Sequence, residues 1–327
     1  MKKFGVLLIT TLVLFFGVVI LSFLITESLS EYRAKKEQIV VELNFKERVT
    51  SASEWIPGNT IGQEKVKIWQ KLEAEASSHY RDALIASLLL IIVMLVYVAL
   101  NYIAYFKKDH KYRVYGFVMI FSSISFLFLS LQSPFLEVIA YNKDLTFSLP
   151  IDVNFDEMDF IGGLGLGEFQ YDYEEVFEGR VYYFYQNKSV IELIQLLYTG
   201  GNFAVALLVI FVTILFPLFK FIGSIVILSA PQKKSSLKLY MVMRNLAKWS
   251  MIDVFAAGLF LAYFAYTNMN LGVDTGSETL IGLYFFLIFI TLSINSGRFL
   301  KKALKKAQGV PEGILEVGFE VKEGALD

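Results

Sequence analysis

The chain alternates long apolar runs with shorter polar stretches. A helix that crosses the roughly 30 Å hydrocarbon core needs about 20 apolar residues. Six runs meet or approach that length: Phe4–Thr26, Ala83–Phe106, Val114–Leu131, Phe203–Leu228, Trp249–Tyr266 and Leu280–Gly297. Lys2 and Lys3 precede the first run, as in a signal peptide. The run is longer than a signal core, and no small-x-small site follows it, so it is read as an uncleaved anchor.

Two polar stretches carry patterns of their own. Glu27–Val49 and Gln63–Arg81 read as helices that continue the first two spans outward, with Pro57-Gly58-Asn59 as the turn. Ile68, Leu72, Ala76 and Tyr80 recur every fourth residue, which places them on one helix face. Each arm extends about 30 Å beyond its span. A passive stalk, a partner-docking arm and a ligand sensor all fit this pattern. The stretch Gln132–Asn202 alternates instead with period two. Leu145, Phe147, Leu149, Ile151, Val153 and Phe155 share one strand face, which is expected to be buried. Pro150 lacks an N–H for the ladder, which predicts an edge strand or two strands meeting at a bulge. Phe169–Tyr173 and Arg180–Tyr185 read as further strands, giving a small antiparallel sheet. Gly162–Gly167 lies between strands, without the strand–helix context of a nucleotide fingerprint. Gly163, Gly165 and Gly167 read as a flexible lip for a partner or an entering lipid.

Composition sharpens this picture. The 327 residues are 55% hydrophobic and 19% charged, with mean hydropathy +0.54. Soluble domains are typically about 25% charged, so the chain reads as an α-helical integral membrane protein with six transmembrane helices. There is no Cys and there are two His, which excludes disulfides, thiol catalysis and cysteine-bound metals. The net charge of −1 gives no footprint for nucleic acid. The mostly short loops on one side hold 17 Lys and Arg, against 12 in the much longer loops opposite. Basic loops stay inside, so both termini are expected in the cytoplasm. The outer loop 132–202 carries twelve acids and three bases.

Two charges lie within spans. Lys220 follows Pro217 in the fourth span, and Asp253 lies about one turn into the fifth. A charge at depth costs at least ~2.5–3.5 kcal/mol on insertion scales, so each needs a partner or water. The two spans are consecutive and antiparallel, and a lysine can snorkel toward the cytoplasmic face. A structural ion pair and a proton relay or gate fit equally well. Pro217 frees a backbone carbonyl one turn earlier. Thr213 and Ser250 are positioned to join a polar network. Ser122, Ser123 and Ser125 suit helix packing, whereas Asn101, Ser293 and Asn295 read as interfacial. Trp249 reads as an interfacial anchor and His110 as solvated. No catalytic constellation, cofactor motif or metal-ligand set is apparent, so the chain is not read as an enzyme.

Three stretches resemble the paraquat-inducible protein A family. They are Ser133-Pro134-Phe135-Leu136-Glu137-Val138, then Ser189–Leu193 through Gly200-Gly201 to Ile214–Lys220, and Lys248–Phe255 with Gly258. The likeness covers roughly residues 114–306. Known members carry two such modules and cysteine zinc ribbons; this chain has one module and no Cys. The resemblance divides the chain into a transmembrane hairpin (1–113), a four-span module (114–306, with its outer β-domain at 132–202) and a tail (307–327). It implies a claudin-like four-helix fold under an outer sheet. It also implies a bacterial inner-membrane location and a periplasmic mammalian-cell-entry (MCE) partner, with phospholipid as cargo. Lys220 and Asp253 map onto the family's membrane lysine and acid, as candidate coupling residues. A non-transporting scaffold or auxiliary subunit is the alternative.

Overall fold

The computed structural model describes residues 2–56, 60–154, 168–247, 258 and 274–309. Two helices dominate one side: α1 (Lys2–Glu42) and α3 (Ile61–Tyr105), of 41 and 45 residues. At about 1.5 Å per residue each exceeds 60 Å, twice the hydrocarbon thickness. They form an antiparallel hairpin, as the continuation of the spans predicts. The seam explains why they stay together over this length. On α1 and just past its end, Leu14, Val18, Ile25, Leu29, Tyr32, Ile39 and Leu43 are buried. On α3 the buried set includes Leu72, Ala76, Ala83, Ser87, Leu90, Met94, Tyr97 and Asn101. Steps of three, four and seven residues make a coiled-coil seam. The other faces of the same helices expose Phe15, Phe16, Phe23, Leu88, Leu95 and Ile103. Such an apolar exterior suits lipid rather than water. Beyond this belt the pairing turns ionic, with Lys35–Glu75 at 2.7 Å and Lys36–Glu73 at 2.8 Å.

Between the arms lie the short helix α2 (Phe45–Thr50), capped by the Asn44 side chain, and a 3₁₀ turn (Ala52–Trp55). The proposed turn residues Pro57, Gly58 and Asn59 lie outside the described residues.

The remaining elements are α4 (Lys111–Gln132), β1 (Pro134–Asn154), β2 (Glu168–Ser189), α5 (Val190–Thr199), α6 (Phe203–Ile210), α7 (Phe216–Ser229), α8 (Lys234–Ala247), β3 (Asp274–Thr279) and α9 (Ile281–Gln308). Among the described residues, five segments are long and apolar enough to cross a membrane: Val13–Glu42, Ile61–Tyr105, Lys111–Gln132, Phe203–Ser229 and Ile281–Gln308. The chain is thus a multi-pass helical membrane protein. The fifth of the six predicted spans, Trp249–Tyr266, lies outside the described residues apart from Gly258.

The α4/α9 pair is the centre of the second bundle. Phe126 meets Phe285 at 5.9 Å between ring centres, and Phe221 of α7 meets Phe289 at 6.2 Å. Gly282 permits the closest approach: a Cβ there would stand 2.5 Å from the Pro134 carbonyl oxygen and 2.6 Å from that of Ser133. Leu280 N–H donates to the Phe135 carbonyl at 2.9 Å, so the start of α9 is bonded to the start of β1.

The sheet has the antiparallel order β2-β1-β3. β1 and β2 pair along their whole length, with register shifts at Pro134/Leu136, Ala140/Tyr141 and Lys143/Leu145. β3 pairs only Leu136 to Tyr141. Three expectations change here. The two separate strands expected within 169–185 are one continuous strand, β2. Among the described residues Pro150 lies on a part of β1 paired on one side only, but its own position is regularly paired with Asp172 and the bulges lie elsewhere. The apolar face of the outer half of β1 is not buried throughout: Leu149 is 40% and Ile151 42% exposed. Alternation fixes which residues share a face, not what covers it: Trp55 packs on Phe147, whereas Leu149 and Ile151 lie further along the strand.

The helical hairpin is not a free-standing stalk. Tyr182 N–H donates to the Leu43 carbonyl at 2.9 Å, and Ile39, Leu43, Leu72 and Tyr182 form one buried cluster. Trp55 packs edge-on against Phe147 and Phe177. Beneath it Arg48, 1% exposed, pairs with buried Glu54 at 2.7 Å and donates to the Glu178 carbonyl at 3.1 Å. Gly179, with φ of 87°, lies in the bend that brings the strands to α3; a Cβ there would meet Val66 at 2.7 Å.

Candidate functional site

Two polar sites are built into this frame. The first lies inside the second bundle. Pro217 has no N–H to give the Thr213 carbonyl, and the helix responds by widening. Phe211–Leu215 is a π-helical turn, in which Phe216 N–H reaches back five residues to the Phe211 carbonyl. Such turns mark positions where a helix tolerates strain, often for function. Thr213, 9% exposed, donates to the Val209 carbonyl at 2.6 Å and so bonds within its own helix. Pro217 is buried. One turn further, Lys220 Nζ donates to Ser293 Oγ of α9 at 2.7 Å. Ser293 is 5% exposed; so is Asn101, whose Nδ2 donates to the Tyr97 carbonyl. Both are covered because α9 and α3 turn those faces into helix contacts. Nearby, Ser123 Oγ donates to the Phe289 carbonyl across the α4/α9 interface at 3.3 Å. Asp253, Ser250, Trp249, Gly163, Gly165 and Gly167 lie outside the described residues. Among the described residues, no group of three or more His, Asp or Glu is placed to hold a metal ion.

The second site joins the helical hairpin to the sheet and was not singled out from the sequence. Glu137 of β1 is 2% exposed. Its Oε2 accepts hydrogen bonds from Tyr32 Oη at 2.6 Å, Tyr185 Oη at 3.3 Å and Asn187 Nδ2 at 3.4 Å. Its Oε1 lies 3.8 Å from Lys36 Nζ, which also pairs with Glu73. Burial pushes the Glu137 carboxyl above its usual range, opposed by Lys36 and the Tyr32 hydrogen bond. Burial, together with the Glu137 charge, pushes the Tyr185 hydroxyl up as well, so it remains a donor. A buried carboxylate needs several such partners to offset its lost hydration. One signal did mark it: Glu137 is the single charge in Pro134-Phe135-Leu136-Glu137-Val138-Ile139-Ala140. What the sequence lacked was its covering helix, 105 residues away in the chain.

Beside this cluster Ser189 caps α5 through a reciprocal box with Glu192. Arg33 of α1 reaches the same Glu192. Burial pushes Glu192 up, but the Ser189 N–H and Arg33 outweigh it, and its carboxyl lies below the usual range.

Neither a curated protein nor a solved structure matches the chain. A protein-family model does, over residues 175–302, and its description is paraquat-inducible protein A. The matched residues run from within β2 to most of α9 and include Lys220 and Ser293; the helical hairpin, α4 and β1 lie outside the match. Over residues 175–302, this membrane protein is similar to the paraquat-inducible protein A family.

Proposed function

We propose that the chain is an inner-membrane component of a phospholipid transport system. It works with a periplasmic protein of the mammalian-cell-entry type, and it moves lipid without catalysing a reaction. The observation that carries this reading is Lys220. It is a charged residue in the apolar α7, next to a π-helical turn, bonded across the bundle to Ser293, and it lies within the matched segment. A charge kept at that position costs insertion free energy, which favours a working role over a passive one. In this reading Lys220 and Asp253 form a coupling pair. Pro217, Thr213 and Ser250 let the helices repack around it, and the glycines at 163, 165 and 167 form a lip for lipid or partner. The four spans from Lys111 onward adopt a claudin-like arrangement below the sheet. The basic loops face the cytoplasm with both termini, and the sheet faces the periplasm.

A test is transfer of a labelled phospholipid from proteoliposomes bearing the chain and its co-purified envelope partner to acceptor vesicles. Transfer that disappears in Lys220→Met and Asp253→Asn, at unchanged expression and melting temperature, supports the reading. Transfer equal to wild type in both variants overturns the coupling role. One observation favours the alternative of an auxiliary scaffold. The outer β-hairpin exposes Leu149, Ile151 and Tyr171, a set suited to docking another protein. A tightly held membrane partner with no lipid transfer would select that alternative.

A further inference from the structure

A cleft of ≈ 140 Å³ opens where α1 passes the junction of α4, β1, β2 and α5. One water needs only ~10–15 Å³ of such space, so there is room for a small polar group. Thr26, which ends the apolar run of α1, and Gln132, which follows that of α4, are among its walls. The cleft therefore lies at the level where lipid headgroups meet the sheet end of the bundle.

The chemistry of its walls is specific. Leu29 and Pro134 are apolar; Arg33 and Glu192 supply one positive and one negative charge. Arg33 gives Nε to Glu37 and Nη1 to Glu192, and its Nη2 makes no hydrogen bond among the described residues. Asn187 is 1% exposed and also lines the cleft. Its Nδ2 is held by Glu137 and by the Tyr185 hydroxyl at 3.3 Å, which fixes the amide's orientation. Its Oδ1 is buried without a hydrogen-bond partner. Buried acceptors without a donor are rare in folded proteins, so this one points to a donor that a ligand supplies.

We propose that the cleft holds the headgroup of a zwitterionic phospholipid with a primary ammonium, as in phosphatidylethanolamine. The ammonium donates to Asn187 Oδ1 and faces Glu192, while the phosphate takes the remaining N–H groups of Arg33. The acyl chains then lie along the apolar outer face of α1. This assignment rests on the lipid reading above and deepens it by naming the headgroup. The charged walls sum to zero, which disfavours an anionic headgroup. A choline headgroup carries no N–H and leaves Asn187 Oδ1 unsatisfied.

The test uses the full chain in nanodiscs containing equal amounts of phosphatidylethanolamine, phosphatidylcholine and phosphatidylglycerol with identical chains. Lipid retained after extraction into detergent is counted by native mass spectrometry. Phosphatidylethanolamine is expected at roughly tenfold or greater enrichment over each competitor, the scale of one lost hydrogen bond to a buried group. Ser30→Trp fills the cleft while keeping both residues of the Arg33–Glu192 pair and is expected to abolish the enrichment; Thr26→Phe serves the same purpose if the first variant fails to insert. Equal retention of ethanolamine and choline lipids overturns the assignment, as does enrichment that persists in a folded, cleft-filled variant. Glycerophosphoethanolamine at the same concentration is expected to compete weakly. Competition as strong as that of the diacyl lipid would overturn the lipid source in favour of a soluble ligand. Retention is measured apart from transfer. Enrichment without transfer therefore counts against the transport reading alone, and transfer without enrichment counts against the cleft assignment alone.

Discussion

Replacing Tyr32 by Phe tests how the helical hairpin is held to the sheet. The ring keeps its contact with Tyr80, at 5.1 Å between centres, so packing is conserved. What disappears is the 2.6 Å hydrogen bond to Glu137. The other donors are longer, at 3.3 Å and 3.4 Å, and Lys36 stands at 3.8 Å. Hydrogen bonds to charged groups contribute about 1.5–3 kcal/mol. A loss of about 2 kcal/mol corresponds to roughly thirty-fold in the equilibrium for undocking the α1 arm. Hydrogen exchange of peptides spanning 27–43 reads that local opening directly. Exchange about thirty-fold faster in Tyr32→Phe is expected; a change below about two-fold would refute the assignment of Glu137 as the anchor. The pH dependence is a second arm of the same test. Burial raises the docked pKa of Glu137 above the ordinary 4.5, with Lys36 and Tyr32 opposing and Glu278 adding. The docked state therefore binds more protons than the open state, and docking weakens as pH rises from about 4.5 to the raised value. Above that value the contribution is flat. Glu137→Gln is expected to remove this slope. Docking that strengthens with pH through Glu137 over that range would contradict the burial argument.

Other perturbations address separate parts of the frame. Arg48→Met leaves Glu54 buried without its guanidinium and is expected to destabilise the turn between the arms by about 3–5 kcal/mol. Arg48→Met with Glu54→Leu should recover most of that loss in thermal melting; no recovery means the pair is not the cause. Gly282→Ala places a Cβ against two backbone carbonyls that cannot swing aside. It should cost about 1–3 kcal/mol, seen as a lower melting temperature and weaker protection of Leu280 N–H; a neutral result would deny the close approach. Ser293→Ala removes one acceptor of Lys220 while leaving the charge. Transfer is expected to fall less than in Lys220→Met, and the reverse order would shift the role from the lysine to α9.

The parts of the fold set by periodicity were legible in the sequence. The apolar runs gave the five spans among the described residues, and the four-residue repeat through Leu72 and Ala76 gave the inner face of α3. Period two revealed a strand through Leu145–Asn154, but alternation reports chemistry and not cover, so the exposure of Leu149 and Ile151 was hidden. The continuity of β2 was hidden because the strands read at Phe169–Tyr173 and Arg180–Tyr185 leave out 174–179, where the positive φ of Gly179 accommodates a bend within the strand region. The bond from Lys220 to Ser293 was hidden because its partners lie 73 residues apart. The Glu137 cluster was the largest omission: its charge was visible in an apolar run, but Tyr32 and Lys36 meet it only once the helical hairpin docks.

Phospholipid transfer from proteoliposomes containing the full chain and its co-purified envelope partner, with wild type compared against Lys220→Met, tests the central proposal most directly. Transfer above the protein-free rate in wild type and its loss in a folded Lys220→Met protein are expected. Transfer at the protein-free rate in wild type would contradict a transport role, and equal transfer in the two proteins would contradict a role for Lys220 in it.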